Sequence, residues 1–581
     1  MKRLTLTVLA FALLGFSTAL AQDPPGKKAE DKKIDDRKVE PKKGEEKKDD
    51  AKKNDAKKAE LTKEEKEAAA KKAADEKGKM AHTKLAPALL MPNLCAIRYR
   101  VTTTSPECQA FVDQGLGFYY SYVWMESARS FETALKYDPN CAMAWWGLSK
   151  ACEKWGRAQY APPLKKAQEL MAQASPREAL LIKARLQEKG IIEGIKQEDR
   201  RKEAVKTLDE LLTLFDDDEE GWFCRAQVAD GPNAGVPFYK ALIRVNPLHA
   251  GAHHELLHHY ENIKRPGLGW QHAVKYMESS PGIPHAFHMQ AHLAMRIGKW
   301  SQTSDNSAHA VVMQEAYHKL LKVSPNDDWQ FAHHIETLLQ SLVHDGRFKE
   351  ANELKKKSQG YKFDQKINWF RLHLGEHNWD AALEIANSHK KDKLLASYLR
   401  AVVYLRKGDY DRATPEVNVL KEAYQTRRTE RDLELRLWET QGFLMACTGD
   451  ADAGLKLMAK TVDKTKDDYN RHAWGHGAYH METWGIAALR AQRPAVAEEA
   501  FLEALAHDAG SVRGALGLQL VCERQGRSEE ALRFGELAQR CWRRADAGRI
   551  PQERAFLSNE TPDNVRSLAP ESKEPKGGAS N

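Results

Sequence analysis

The chain has 581 residues, with 90 Lys and Arg against 82 Asp and Glu, a formal charge of +8. That excess is small for the length and selects no charged partner. A chain this long exceeds what one hydrophobic core supports, so several domains or a repeat array is expected.

The first residues read as a processing signal. Lys2 and Arg3 precede a largely apolar stretch from Leu4 to Leu14, interrupted by Thr5 and Thr7. Ala19-Leu20-Ala21 offers small residues at both positions a signal peptidase reads, so cleavage before Gln22 is expected. An uncleaved anchor is the alternative, but the stretch is short beside the ~20 residues of a membrane span. No cysteine follows the cleavage site to carry a lipid. Residues 1–21 are therefore expected to be a signal peptide, and the mature protein periplasmic or secreted with no transmembrane segment. From 22 to 83 the sequence is mostly Lys, Asp, Glu and Ala, with little to bury. Such a segment cannot offset its ordering entropy and is expected to be a disordered linker. Its charges alternate in sign, so no nucleic-acid partner is expected. The stretch 556–581 is polar, carries Pro562, Pro570 and Pro575, and is expected to be a disordered tail.

Between them, 84–555 shows apolar positions at helical spacing and few alternating β-branched runs. Gly115, Phe118, Phe131, Ala134 and Pro139 are spaced as in a 34-residue helix–turn–helix repeat. Trp145 and Leu148 begin the next unit in register. Gly followed five residues later by Ala recurs at Gly346 and Ala351, Gly408 and Ala413, and Gly526 and Ala531. Gly298-Lys299-Trp300 is a degenerate copy. These spacings resemble the tetratricopeptide repeat. The predicted fold is all-α, a tetratricopeptide-type solenoid in which repeats touch their neighbours and leave a long concave face. That face is expected to take an unknown protein or peptide.

Eight cysteines occur. Cys95 and Cys108 flank the start of the first repeat and are the first pair expected to join in an oxidising compartment. Cys141 and Cys152 lie about 16 Å apart along a continuous helix, beyond disulfide reach. The rest are expected to be buried thiols. No Cys-x-x-Cys pair exists.

The histidines cluster. His249, His253, His254, His258 and His259 are followed, about one repeat later, by His285, His288 and His292. His254 and His258 share a helix face, as do the later three. Converging imidazoles of this kind suit zinc, copper or nickel, so His254, His258, His285, His288 and His292 are the candidate metal ligands, with zinc or copper the expected ion. The alternative is polar packing between helices, with hydrogen bonds to backbone or Glu. His472, His476 and His480 repeat the spacing further on. His254-Glu255-Leu256-Leu257-His258 also matches His-Glu-x-x-His, the zinc peptidase helix, with Glu255 as general base and Glu261, Glu278 or His285 as third ligand. Zincins bring an active-site strand, and none is read here.

Asp113-Gln114-Gly115-Leu116, Glu126 to Phe131, Asp138 to Gly147, His249-Ala250-Gly251-Ala252 with His254 and His258, and His285-Ala286-Phe287-His288-Met289 with His292 resemble a family of bacterial exported tetratricopeptide proteins of unassigned function. The resemblance spans most of 93–505. The family reads His-Pro-Gly-Ala where this chain has His249-Ala250-Gly251-Ala252, and often an Asn-His pair where it has Val123-Trp124. The position of Glu255 is often aromatic there, which argues against a shared peptidase activity. The resemblance implies the fold and transfers no activity.

Overall fold

The structure, a computed structural model of the chain, describes residues 78–231, 233–362, 366–466 and 478–559. All belong to one unit spanning 71–581. The expected signal peptide, most of the expected linker and the end of the tail lie outside the described residues. Chain packing is established by Met80, which is 7% exposed, and the Thr83 amide donates to Glu132 at 2.8 Å.

Among the described residues there are 25 α-helices and no strand. The first eight are α1 (Pro106–Tyr120), α2 (Trp124–Tyr137), α3 (Ala142–Trp155), α4 (Ala161–Leu170), α5 (Pro176–Glu188), α6 (Arg200–Leu214), α7 (Glu219–Gln227) and α8 (Val236–Val245). The middle of the array is α9 (Ala250–Asn262), α10 (Pro266–Ser279), α11 (Pro284–Arg296), α12 (Trp300–Leu321), α13 (Trp329–His344), α14 (Phe348–Lys357), α15 (Lys366–Gly375) and α16 (Trp379–Ser388). Then follow α17 (Lys393–Lys407), α18 (Tyr410–Thr426), α19 (Arg431–Thr448), α20 (Ala451–Thr465), α21 (Tyr479–Arg490), α22 (Pro494–His507), α23 (Val512–Arg524), α24 (Ser528–Cys541) and α25 (Arg549–Ser558).

Small residues set how closely these helices pack. Phe131 on α2 is 1% exposed and sits between Gly115 of α1 and Gly147 of α3. A methyl at Gly147 would meet its ring at 2.3 Å, and one at Gly115 at 2.9 Å. Phe501 on α22 lies in the same way between Gly485 and Gly517, where methyls would meet it at 2.5 and 2.3 Å. The turn signature is equally physical. Gly298, Gly346, Gly408 and Gly526 have φ of +71°, +72°, +82° and +72°, which L-residues with a Cβ adopt at a penalty. Ala351, Ala413 and Ala531, five residues after the last three of these glycines, are buried.

The array departs from one in which repeats touch only their neighbours. The turn after α1 reaches α9 and α13, where His254 and Gln330 contact the carbonyls of Tyr120 and Ser121. The C-terminal helices fold back on the middle. Trp300 Nε1 donates to Asp508 at 3.1 Å, Trp542 Nε1 donates to the His344 carbonyl at 2.7 Å, and Arg544 bridges Asp305 and Asp345. One apolar core ends on α11 with Leu293, and a second begins on α12 with Val311. The histidine-rich helices lie where the two meet.

The eight cysteines are all free thiols. Cys108 lies beside Cys141, at the start of α3, close enough for the two thiols to perturb each other, and the expected Cys95–Cys108 bridge is not formed. The Cys95 sulfur instead packs against Gly117.

Candidate metal centre

Three inner helices carry the site. His249 caps α9, its Nδ1 accepting from the Ala252 amide at 3.1 Å. Pro284 opens α11, and the Asp328 side chain caps α13 by accepting from the Gln330 amide. The spacing of four then puts His254 and His258 on one face of α9. Residues 285, 288 and 292 share the facing side of α11, and His333 projects from α13.

The structure brings these residues into two triads. In the first, His254 Nε2 lies 3.0 Å from His258 Nε2 and 3.1 Å from His285 Nε2. His254 Nδ1 donates to the Tyr120 carbonyl at 2.6 Å, which leaves its Nε2 lone pair facing the other two rings. In the second, His288 and His292 join His333, with His292 Nε2 and His333 Nε2 3.2 Å apart. The His288 ring centroid is 4.2 Å from that of His292 and 4.6 Å from that of His333. His334 stands on its other side at 4.4 Å. Neither His288 nor His334 has a hydrogen-bond partner on either ring nitrogen, although both are fully buried. All five expected ligands are thus in the two triads, and His333 completes the set.

Glu261 ties the triads together. One carboxylate oxygen is 3.4 Å from His258 Nδ1 and the other 3.5 Å from His292 Nδ1. Arg296 Nε donates to Glu261 at 2.5 Å. Burial works to raise the Glu261 pKa, but Arg296 and the two imidazoles outweigh it and hold the carboxyl well below the usual range. His333 Nδ1 has its own carboxylate, Glu336, at 3.4 Å. This is the pattern in which a ligating imidazole gives its second N–H to a carboxylate or carbonyl, fixing its tautomer and raising its basicity. Burial also holds His254, His285 and His288 well below the usual imidazole pKa, and His292 at about 4, so lone pairs rather than protons occupy the centre.

The walls explain two features of the sequence. Tyr122, at φ +59°, lays its ring parallel to His258 at 5.8 Å and beside His254 at 4.5 Å. Trp124, where the resembling family often has His, stacks on Tyr122 at 4.9 Å. That position is therefore one ring removed from the first triad. Glu255 is half-buried and accepts from the Tyr122 hydroxyl at 2.9 Å. Of the three third-ligand candidates, His285 is in the triad and Glu261 stands behind it. Glu278 pairs with Lys275 on the surface at 2.7 Å. Elsewhere, His253 contacts the Pro247 carbonyl and His272. His480 lies 3.5 Å from Glu439, while His472 and His476 lie outside the described residues.

Fold and site together define an all-α helical-repeat protein of the tetratricopeptide type with a histidine-lined interior. A tetratricopeptide repeat family profile matches residues 112–164 and 483–548, the two stretches around Phe131 and Phe501. No curated relative matches the sequence. Among solved structures, the chain is similar to the human IFIT1 dimer with m7Gppp-AAAA, at 14% identity over 76% of this chain and 91% of that one, with a TM-score of 0.26. It is similar to yeast Tom70 at 14% identity over 79% and 96%, also at 0.26. The P58(IPK) TPR domain matches at 11% identity over 63% and 99%, at 0.16. At those scores nothing of those proteins' ligands transfers to this chain.

Proposed function

We propose that this is an exported tetratricopeptide-type scaffold that holds transition-metal ions inside the repeat array, one in each histidine triad. The observation that carries this is the first triad, where the Nε2 atoms of His258 and His285, from two helices, lie 3.0 and 3.1 Å from His254 Nε2. Polar packing of histidines would pair each ring nitrogen with a backbone or carboxylate group. Here Nε2 faces Nε2, and His288 keeps two unpartnered nitrogens in a fully buried position. An ion at ~2 Å from each Nε2 satisfies them together. Half-exposed His258 and His333 offer the way in, at 25% and 22% side-chain exposure. Export rests on the N-terminal pattern, and the repeat frame supplies a surface for a protein or peptide partner. A hydrolytic use has less support, because the Glu255 carboxyl is engaged by Tyr122 and burial raises its pKa.

Metal content of the tag-free protein tests the proposal. It should hold about two ions per chain, and a chelator should lower its melting temperature, because an ion that binds only the folded chain adds to its stability. His254→Ala with His258→Ala should remove one ion and half of the chelator effect. A chain that takes up no ion from zinc or copper, and melts alike with and without chelator, would sink it.

A further inference from the structure

We infer that Cys224 and Lys150 are the two ends of a reversible covalent link, a sulfur–nitrogen bond made when a peroxide oxidises the thiol. This site lies in the first apolar core and is independent of the metal reading above.

Two helices build the pair. Lys150 projects from α3 and is 4% exposed. Glu220 and Cys224 stand four residues apart on α7, so they share the face that meets it. Lys150 Nζ lies 3.4 Å from Cys224 Sγ and 3.5 Å from Glu220 Oε2. The rings of Trp146, Tyr119 and Phe223 surround the same nitrogen, with centroids at 4.3, 4.6 and 5.6 Å. The amine therefore lies against rings and a thiol rather than in water, where a lysine normally keeps its head. The second Glu220 oxygen is buried with no hydrogen-bond partner, which suits a carboxyl that takes up and gives back a proton. Burial sets the protonation to match. It pushes Glu220 up to about 8 and holds Lys150 below the usual lysine range, so the carboxyl keeps its proton near neutral pH and the amine gains a free lone pair.

The chemistry balances in two steps. Burial pushes the Cys224 thiol up to about 11, so the thiol needs a base, and Lys150 Nζ is in contact with it. Cys224 is half-buried, which admits a molecule as small as hydrogen peroxide. The sulfur attacks one peroxide oxygen and the O–O bond breaks. Lys150 carries the thiol proton to the departing hydroxide, and one water leaves. Cys224 is now a sulfenic acid, oxidised by two electrons while the peroxide is reduced. The neutral amine then attacks that sulfur and the S–O bond breaks. Glu220 protonates the departing hydroxide and recovers the surplus proton of the amine, so a second water leaves and an S–N bond remains. A sulfenic acid that condenses with nitrogen in this way is kept from irreversible oxidation to the sulfinic acid. A small thiol reverses the link by attacking the sulfur, which frees the amine and leaves a mixed disulfide that a second thiol reduces.

The full chain should be treated with hydrogen peroxide and mapped by peptide mass spectrometry without reduction, beside a sample kept reduced. The expected result is a Lys150 peptide joined to the Cys224 peptide, two hydrogens lighter than their sum and separated again by dithiothreitol. Dimedone, which captures sulfenic acids, should cap Cys224 when present during oxidation and abolish the link in the unaltered chain. Glu220→Gln, checked for parent helicity, should slow linking about a hundredfold, the usual effect of losing a general acid, with Cys224 still captured by dimedone at the parent rate. Cys447, beside the Tyr410 hydroxyl, and Cys541, near the Ala509 carbonyl, are half-buried as well and serve as internal controls. Cys224 carried on to the sulfinic or sulfonic acid with Lys150 unlinked would overturn the inference. So would a Cys224 left unmodified once both control thiols are oxidised, or a link that retains an oxygen between sulfur and nitrogen. Linking at the parent rate in Glu220→Gln would overturn the proton transfer through Glu220.

Discussion

Replacing Glu261 by Gln tests whether the two triads share one organiser. The change removes a charge at nearly constant volume from a side chain that is 2% exposed. Two effects follow, and they separate. In the metal-free chain, Arg296 loses the carboxylate it donates to, and breaking such a buried pair by removing one partner costs about 3–5 kcal/mol. Because the Glu261 pKa is depressed in the folded state, this contribution is complete above the unfolded carboxylate range, near ~4.3. It is lost as pH falls through the folded value. The variant should therefore be weaker than the parent at pH 7, and the gap should close in strong acid. In the metal-bound chain, His258 and His292 each lose the carboxylate behind Nδ1, and such losses lower metal affinity about 10–100-fold. Both triads should weaken in step, since Glu261 reaches one ligand of each. Unfolding of the metal-free chain reads the first effect, and chelator competition reads the second. Adding Arg296→Met should restore most of the stability and none of the affinity. The reasoning fails if only one ion weakens, or if the double variant recovers both.

Gly147→Ala and Gly517→Ala should each destabilise by about 1–3 kcal/mol through overpacking, because each methyl meets a buried Phe ring at 2.3 Å. Gly267→Ala, with nothing within 4 Å, should be neutral or stabilising in the same denaturant titration. Asp508→Asn should stabilise the chain at pH 8 and lose that advantage toward pH 4. The Asp508 pKa is raised to about 7 by burial and Glu482, so the folded state holds a proton that the unfolded state has released. Stability then falls with rising pH by about 1.4 kcal/mol per unit between the two values. Matching pH profiles for parent and variant would refute it.

What could be read from the sequence was local. The αL turns at Gly346, Gly408 and Gly526 were legible because only a positive φ explains Gly at that repeat position. The i, i+4 spacing of His254 and His258, and the run 285, 288, 292, located five of the six triad histidines because helical periodicity fixes which residues share a face. His333 was not found. It sits beside His334 in a separate helix, 41 residues after His292, and its only signal is a His-His pair near one repeat's distance. Glu261 was legible as a candidate ligand, while its place behind His258 and His292 depends on the crossing of α9 and α11. The Cys108–Cys141 approach and the Trp300–Asp508 closure were not legible either. Both depend on how successive hairpins rotate, and that rotation leaves no period in the chain.

That rotation matters most for the site. A repeat array with contacts only between neighbours opens locally, and an ion held by one hairpin would share that hairpin's instability. Here the triad histidines come from α9, α11 and α13, which belong to successive hairpins. The turn after α1 is pressed against α9 through the Tyr120 carbonyl and against α13 through the Ser121 carbonyl. Tyr317 on α12 donates to Glu126 on α2 at 2.6 Å, so the first repeat is fastened to the middle at a second point. From the other direction, Arg544 and Trp542 fasten the C-terminal helices to α12 and the end of α13. Opening the triads then requires breaking contacts made by chain segments roughly 130 to 240 residues away. Burial holds His254, His285, His288 and His334 well below the usual imidazole pKa, and His288 and His334 have no hydrogen-bond partner on either ring nitrogen. These tethers would give an ion held between the triad histidines, as proposed, a rigid cage on an otherwise flexible type of scaffold.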